Sequence, residues 1–489
     1  MTDTESDRSA MLAEIIPPKL LPRLLQRFDL VTLYFALIFG SYGAAQMAAG
    51  GWAAIPMMIL AAITFLAPCA LAAYELGTLY PGEGGVYVWA HKTAGPIHGF
   101  IAGWLSWVPI FLLLPLGAIT VVAHAQYLFD SEWSLSTQVF VQACFIAAVT
   151  GVSATRLRIS QGYIRIMFFV SLATALAVFA VGLTTAQPAT PVNSDIYAFD
   201  LNVHGALYSA AVLWLLGVEV PFNMGAEIRD HKRAVGTMFL WGTIALLIAY
   251  LIGIAGILLT TSQGEIDVTT GLARAAGSQW ATAGVIVGCA VMLAVSSQDV
   301  AYMNTYSRLL FISGIERRLP AVFGQITSTT RVPLPALLAQ GVGAIGVVLI
   351  FSSQPNLAVA FNFYIAALIV VWCCALFYLY FGIVRARFAL QHDYVERGDE
   401  VWRIPGGKAG VIFVALFGSA FNAVAIYYVF ALPMSADVSP DQWRQWLAVL
   451  AGLVLLTGIA IFALGRKNAK EATVESELAK YAMFDEAPE

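Results

Sequence analysis

Leu216-Gly217-Val218-Glu219-Val220-Pro221 lies in the middle of an apolar run spanning 207–228, and it holds three residues that a lipid-facing helix avoids. Gly217 costs a helix interior roughly 1 kcal/mol relative to alanine. Pro221 has no backbone N–H to donate, and Glu219 is an ionisable group at membrane depth. Lipid cannot satisfy freed backbone, so such a break persists only where protein or a water-filled cavity surrounds it. A second stretch of this kind, Phe39-Gly40-Ser41-Tyr42-Gly43, sits in the middle of the run 31–50. Taken singly, each has a plainer reading as a packing glycine or a proline kink. Their places correspond, however, as the first helix of each of two five-helix sets. Paired interruptions in two inverted halves point to a transport site, where half-helix N-termini face a carboxylate and freed carbonyls face cations.

The rest of the chain supports a membrane setting. With 59% hydrophobic and 11% charged residues in 489 positions, it exceeds what one soluble core needs. At about 20 residues per crossing, hydropathy places twelve spans near 31–50, 54–75, 96–127, 136–154, 163–184, 207–228, 237–260, 281–311, 334–353, 358–384, 409–432 and 443–464. The fold class is therefore all-α and polytopic. If residues 1–30, the loops after even-numbered spans and the tail after Leu464 share one side, that side holds all of the 26 Lys and Arg residues except Arg274 and Arg444. The basic side is normally cytoplasmic, which predicts both termini inside and a multi-pass protein of the plasma (inner) membrane. Residues 1–30 and 465–489 read as cytoplasmic extensions or surface helices flanking one transporter domain, 31–464, with repeats at about 31–184 and 207–353 extended to 384. The first 30 residues carry charges throughout and resemble no removable signal peptide. The five cysteines all lie in apolar runs, as reduced packing residues rather than a disulfide or metal framework.

Four segments carry a family resemblance. They are Glu75-Leu76-Gly77-Thr78-Leu79-Tyr80-Pro81-Gly82-Glu83-Gly84-Gly85-Val86-Tyr87 with Gly95-Pro96 and Gly103-Trp104; Gly217-Val218-Glu219 through Ala226-Glu227 and Lys232-Arg233; Ser307-Arg308-Leu309-Leu310-Phe311 to Leu319-Pro320; and Arg403-Ile404-Pro405-Gly406-Gly407. Together they resemble the amino acid, polyamine and organocation (APC) superfamily, specifically its amino acid permeases, and the fourth is similar to the glutamate/GABA exchanger branch. The resemblance implies a LeuT-like five-plus-five inverted repeat with two added helices, binding substrate at the midplane and alternating its access. The expected substrate is an amino acid or amine. The glutamate/GABA likeness suggests acidic or neutral amino acids, while two intramembrane acids suggest basic amino acids or polyamines.

Candidate site residues follow from the breaks and from buried charge. Gly40, Ser41, Tyr42 and Gly43 would hold a substrate carboxylate, and carbonyls near Gly217 its amine. Trp214 and Tyr302 would close over it, with Tyr364 as a further aromatic; each of the three has core packing as its plainer reading. Glu219 and Asp299 lie deep in apolar runs without a basic residue at the same depth. Their roles are proton coupling, recognition of an ammonium, or simply a protonated acid bonded to backbone. Ser296, Asp299, Tyr302 and Met303 recur at spacings of three and four and are expected on one face. Ser296 and Ser297 are candidate sodium ligands, against the plainer reading that adjacent membrane serines bond the preceding turn. Some proton-coupled relatives place a lysine in the fifth helix where this chain has Ser171, which argues against a lysine-based mechanism. Substrate exchange or proton coupling through Glu219 therefore ranks above sodium.

Other classes have less to stand on. The chain has no phosphate loop, zinc pair or nucleophile elbow, so no enzyme and no cofactor is expected, and no metal centre or nucleic-acid partner either. The partners expected are a small-molecule substrate and the lipid bilayer. An ion channel, the second class considered, would need a selectivity element repeated around a pore axis, whereas the two breaks differ in sequence.

Overall fold

The computed structural model describes residues 11–197, 199–351, 357–434, 437–469 and 474–481. The outermost parts of both terminal extensions, 1–10, 470–473 and 482–489, lie outside the described residues. Among the described residues, ten helices are long and apolar enough to cross a membrane. An eleventh crossing is the pair α1 (Arg27–Ile38) and α2 (Ser41–Ala48), bent by 44° at the first glycine-rich stretch. The sixth apolar run holds the shorter α8 (Leu201–Leu213), followed by a 3-10 segment, Val220–Glu227. These ten helices, the bent pair and the shorter α8 fall where the sequence places its twelve apolar runs, with interruptions in the first and the sixth.

In chain order the others are α3 (Gly51–Leu79), the amphipathic α4 (Val86–Ala94), α5 (Pro96–Phe129), α6 (Leu135–Ser153) and α7 (Leu157–Leu183). After α8 come α9 (His231–Thr260), the short α10 (Gly271–Gly277), α11 (Ala281–Ile315) and α12 (Leu334–Phe351). The chain closes with α13 (Leu357–Ala389), α14 (Gln391–Arg397), α15 (Gly407–Ala431) and α16 (Pro440–Ala469). α5 passes Pro115 without stopping. Helices persist here because every crossing must satisfy its backbone within itself.

Burial separates an inner set from an outer one. In α1 every residue from Asp29 to Ile38 is buried, whereas the most apolar window of α16 is 17% buried and that of α6 is 22% buried. The interrupted spans are thus enclosed by protein while the outer helices present aliphatic side chains to lipid. The N-terminal segment is not a free extension: Met11, Ala13, Ile16, Leu20, Leu21 and Leu25 are all buried against the bundle. Leu25 pairs with Ile228 just past the sixth span, through Leu25 N–H to Glu227 O and Arg229 N–H to Leu25 O, each 2.9 Å.

Candidate functional site

The first span stops at Ile38 and resumes at Ser41, with Phe39 and Gly40 extended between them. Two carbonyls freed before the break are met by tyrosine hydroxyls from other spans. Tyr302 Oη donates to Leu37 O at 2.7 Å, and Tyr250 Oη donates to Ile38 O at 2.8 Å. Gly40 N–H donates to the same Tyr250 oxygen at 3.0 Å. Side chains from α9 and α11 therefore supply what the helix no longer does, as a buried break requires.

The sixth span breaks against the first. α8 ends at Leu213, and Gly217 turns the chain at φ +106°, a conformation that side chains avoid. A Cβ on Gly217 would stand 3.5 Å from Leu37 O and 3.5 Å from Ile38 Cγ1, so the two breaks abut. Trp214 lies across α2. Its Nε1 donates to Gln46 Oε1 at 2.8 Å, and its ring meets Tyr42 edge-on at 5.1 Å. A Cβ on Gly43 would come within 2.5 Å of the Trp214 indole and one on Gly40 within 3.0 Å. These glycines leave the room in which the indole lies. Ser41, at the N-terminus of α2, is buried with no hydrogen-bond partner for its Oγ.

Glu219 and Asp299 are both buried, and among the described residues neither forms an ion pair. Glu219 Oε1 accepts from Trp372 Nε1 of α13 at 2.6 Å, and its Oε2 has no partner. Asp299 packs against Gly117 of α5, with Oδ2 likewise unpartnered. Asp299 and Tyr302 both lie in the electrostatic neighbourhood of Tyr42, which brings this part of α11 to the first break.

Two sequence-derived candidates are not drawn in. Ser296 Oγ donates to Leu293 O at 2.8 Å and is hydrogen-bonded to Tyr163 of α7 at 2.5 Å, so it faces α7 rather than the break. Ser297 Oγ is buried and without a hydrogen-bond partner. Tyr364 is buried against Phe351 of α12 at 4.6 Å, with no described contact to either break. Residues the sequence did not single out, Tyr250, Gln46 and Trp372, do reach the breaks.

Beneath the breaks, on the basic face, ion pairs join the spans. Arg308 of α11 bonds both oxygens of Glu227, at 2.9 and 3.3 Å, and stands 3.8 Å from Glu83 in the connection after α3. Arg387 meets Glu75 at 2.5 Å, and Glu75 also accepts from Tyr394 Oη and Ile404 N–H, each at 2.6 Å. Arg165 of α7 pairs with Asp29 at the start of α1. Arg308, nine positions from Asp299, thus spends its charge on the basic face rather than on that acid.

Comparison with known proteins agrees with this arrangement. Residues 25–458 match the family model described as amino acid permease. The protein named "Probable agmatine/putrescine antiporter AguD", from Lactococcus lactis, is 22% identical over 69% of this chain and 74% of its own length. The glutamate/serine transporter AimA of Bacillus subtilis is 24% identical over 61% of this chain and 59% of its own. Among solved structures, MhsT in complex with L-phenylalanine superposes with a TM-score of 0.60 at 13% identity, covering 83% of this chain and 99% of that one, and so shares the fold. With two broken helices meeting in an all-helical membrane bundle, and a family match over most of its length, the chain belongs to the amino acid permease family of the APC superfamily.

Proposed function

We propose that this transporter carries amino acids across the plasma membrane by alternating access, by substrate exchange or with protons. The observation that carries the reading is the meeting of the two breaks, where a Cβ on Gly217 would stand 3.5 Å from Leu37 O. In this scheme the N-terminus of α2, at Ser41, Tyr42 and Gly43, holds the substrate carboxylate, because a helix opens with N–H groups that have no intrahelical partner and a positive dipole end. Carbonyls near Gly217 take the amine. Trp214 and Tyr302 cover the substrate, and Glu219 links protonation to the change of access. The basic face is cytoplasmic, with both termini inside.

A second reading, transport of polyamines or other organic cations, is favoured by Asp299. Its unpartnered Oδ2 is buried near Tyr42 and offers an acceptor to an ammonium. The name of the Lactococcus relative agrees with such a substrate. The test is uptake by purified protein in liposomes of labelled acidic, neutral and basic amino acids and polyamines, with and without internal substrate and with an imposed pH gradient. Uptake that requires internal substrate establishes exchange, and uptake driven by the pH gradient alone establishes proton coupling. No uptake of any member would remove the proposal.

A further inference from the structure

Glu83, Glu227 and Arg308 place two carboxyl groups and one guanidinium together with side-chain exposures of 0–1%. They come from separate parts of the bundle: the connection after α3, the end of the sixth span, and the lower half of α11. Glu83 Oε2 accepts from Ala226 N–H at 2.9 Å, and Gly84 N–H donates to Asn223 O at 3.1 Å, so the connection is sewn to the sixth span. Arg308 fastens both to α11. The arrangement closes the basic face beneath the two breaks.

The charges of this cluster do not balance. Arg308 Nη2 meets both oxygens of Glu227, and its Nη1 turns to Asn304 O and Ser307 Oγ. Glu83 Oε1 stands 3.8 Å from Arg308 Nε, too far for a hydrogen bond, and both atoms are without one. The charged groups acting on Glu83 are Glu227 and Arg308, and the one acting on Glu227 is Arg308. With both acids ionised, the cluster would bury one uncompensated negative charge. A buried group in that position takes a proton instead.

We propose that this cluster is a proton-binding site: it holds one proton, on Glu83, while the path to the cytoplasm is closed, and releases it to the cytoplasm when the path opens. The inference rests on the alternating-access reading for its functional meaning and on the cluster geometry for the proton. Burial first, and then the neighbouring Glu227, push the Glu83 carboxyl well above the usual carboxylate range, with Arg308 opposing them. Opening separates the sixth span from α11 and hydrates the acids, returning Glu83 toward that usual range. The closed form therefore binds more protons than the open one. Closure is favoured as cytoplasmic pH falls and weakens as pH rises through the closed-state pKa, by up to about tenfold in the equilibrium per pH unit for one proton. Because the proton is taken up and released on the cytoplasmic side, the site makes access depend on internal pH even if Glu219 and Asp299 never titrate.

Infrared difference spectroscopy of the full-length protein in lipid, titrated from neutral to alkaline pH, tests the site directly. Wild type is expected to lose a protonated-carboxyl C=O band that is already missing from Glu83→Gln at neutral pH. Glu227→Gln is expected to lose the same band, because Glu83 then ionises to pair with Arg308. A Glu83→Gln protein that keeps every protonated-carboxyl band of wild type would overturn the assignment, and the Glu227→Gln protein decides if that variant does not fold. In liposomes, exchange by wild type should change with internal pH, approaching tenfold per unit, while Glu83→Gln is flat; an unchanged slope in Glu83→Gln would also overturn it. Should wild type transport no member of the amino acid and amine panel, the reading of function fails, and the band still decides the proton site.

Discussion

Glu219 gives the Trp372 indole N–H an acceptor at 2.6 Å, and a glutamine there keeps that acceptor while removing the ionisable group. Glu219→Gln is therefore expected to fold with a thermal midpoint close to wild type and to lose the part of the uptake pH profile that Glu219 supplies. Unchanged uptake with an unchanged pH profile would take Glu219 out of the mechanism. Asp299→Asn is expected to lower uptake of cationic substrates by tenfold or more relative to neutral ones, since charge-assisted hydrogen bonds are about twice as strong as neutral ones; competition assays with paired substrates measure the ratio. Depth in an apolar run was enough to mark both acids in the sequence. Ser296 was misplaced because a helix turns about 100° per residue. Six residues then leave Ser296 and Tyr302 about 120° apart, so one reaches Tyr163 while the other reaches the break. Tyr364 illustrates a different limit, since hydropathy identifies an aromatic residue in a span without saying which neighbouring span it meets.

The two breaks carry the argument at the scale of elements. Gly43→Ala sets a Cβ within 2.5 Å of the Trp214 indole, and overpacking of this kind costs about 1–3 kcal/mol. The indole has to move, and uptake is expected to fall by at least tenfold; labelled uptake beside a thermal melt separates loss of the site from loss of the fold. Gly217→Ala meets only ordinary van der Waals neighbours at 3.5–3.6 Å, so its cost is the backbone conformation at φ +106°. About 1–2 kcal/mol is expected, read as a lowered thermal midpoint. Both breaks were legible because glycine and proline disrupt a helix wherever it packs. The closure of the first break was not legible, since Tyr250 and Tyr302 cap its carbonyls from more than 200 residues away.

Across the whole molecule, hydropathy at about 20 residues per crossing was sufficient to locate the apolar runs that the helices occupy. The pairing of Arg308 with Glu83 and Glu227 could not be read in the same way, although all three residues lie in the segments that carry the family resemblance. Ion pairs between elements depend on which helices adjoin, and periodicity along one helix does not encode that. Arg308→Ala would leave Glu227 buried without its counter-charge, and a loss of about 3–5 kcal/mol is expected, visible as a sharply lowered melting temperature. The packing of Met11 to Leu25 beneath the bundle was likewise unforeseen, because short charged segments read as solvated until their few apolar residues find a partner.

The most direct test of the central claim, that the joined breaks hold the transported substrate, is counterflow of a panel-identified substrate into liposomes preloaded with the same unlabelled compound, comparing wild type with Gly43→Ala. The account predicts transient accumulation of label by wild type and its loss in a Gly43→Ala protein that still melts cooperatively. Equal counterflow by the two proteins would contradict it.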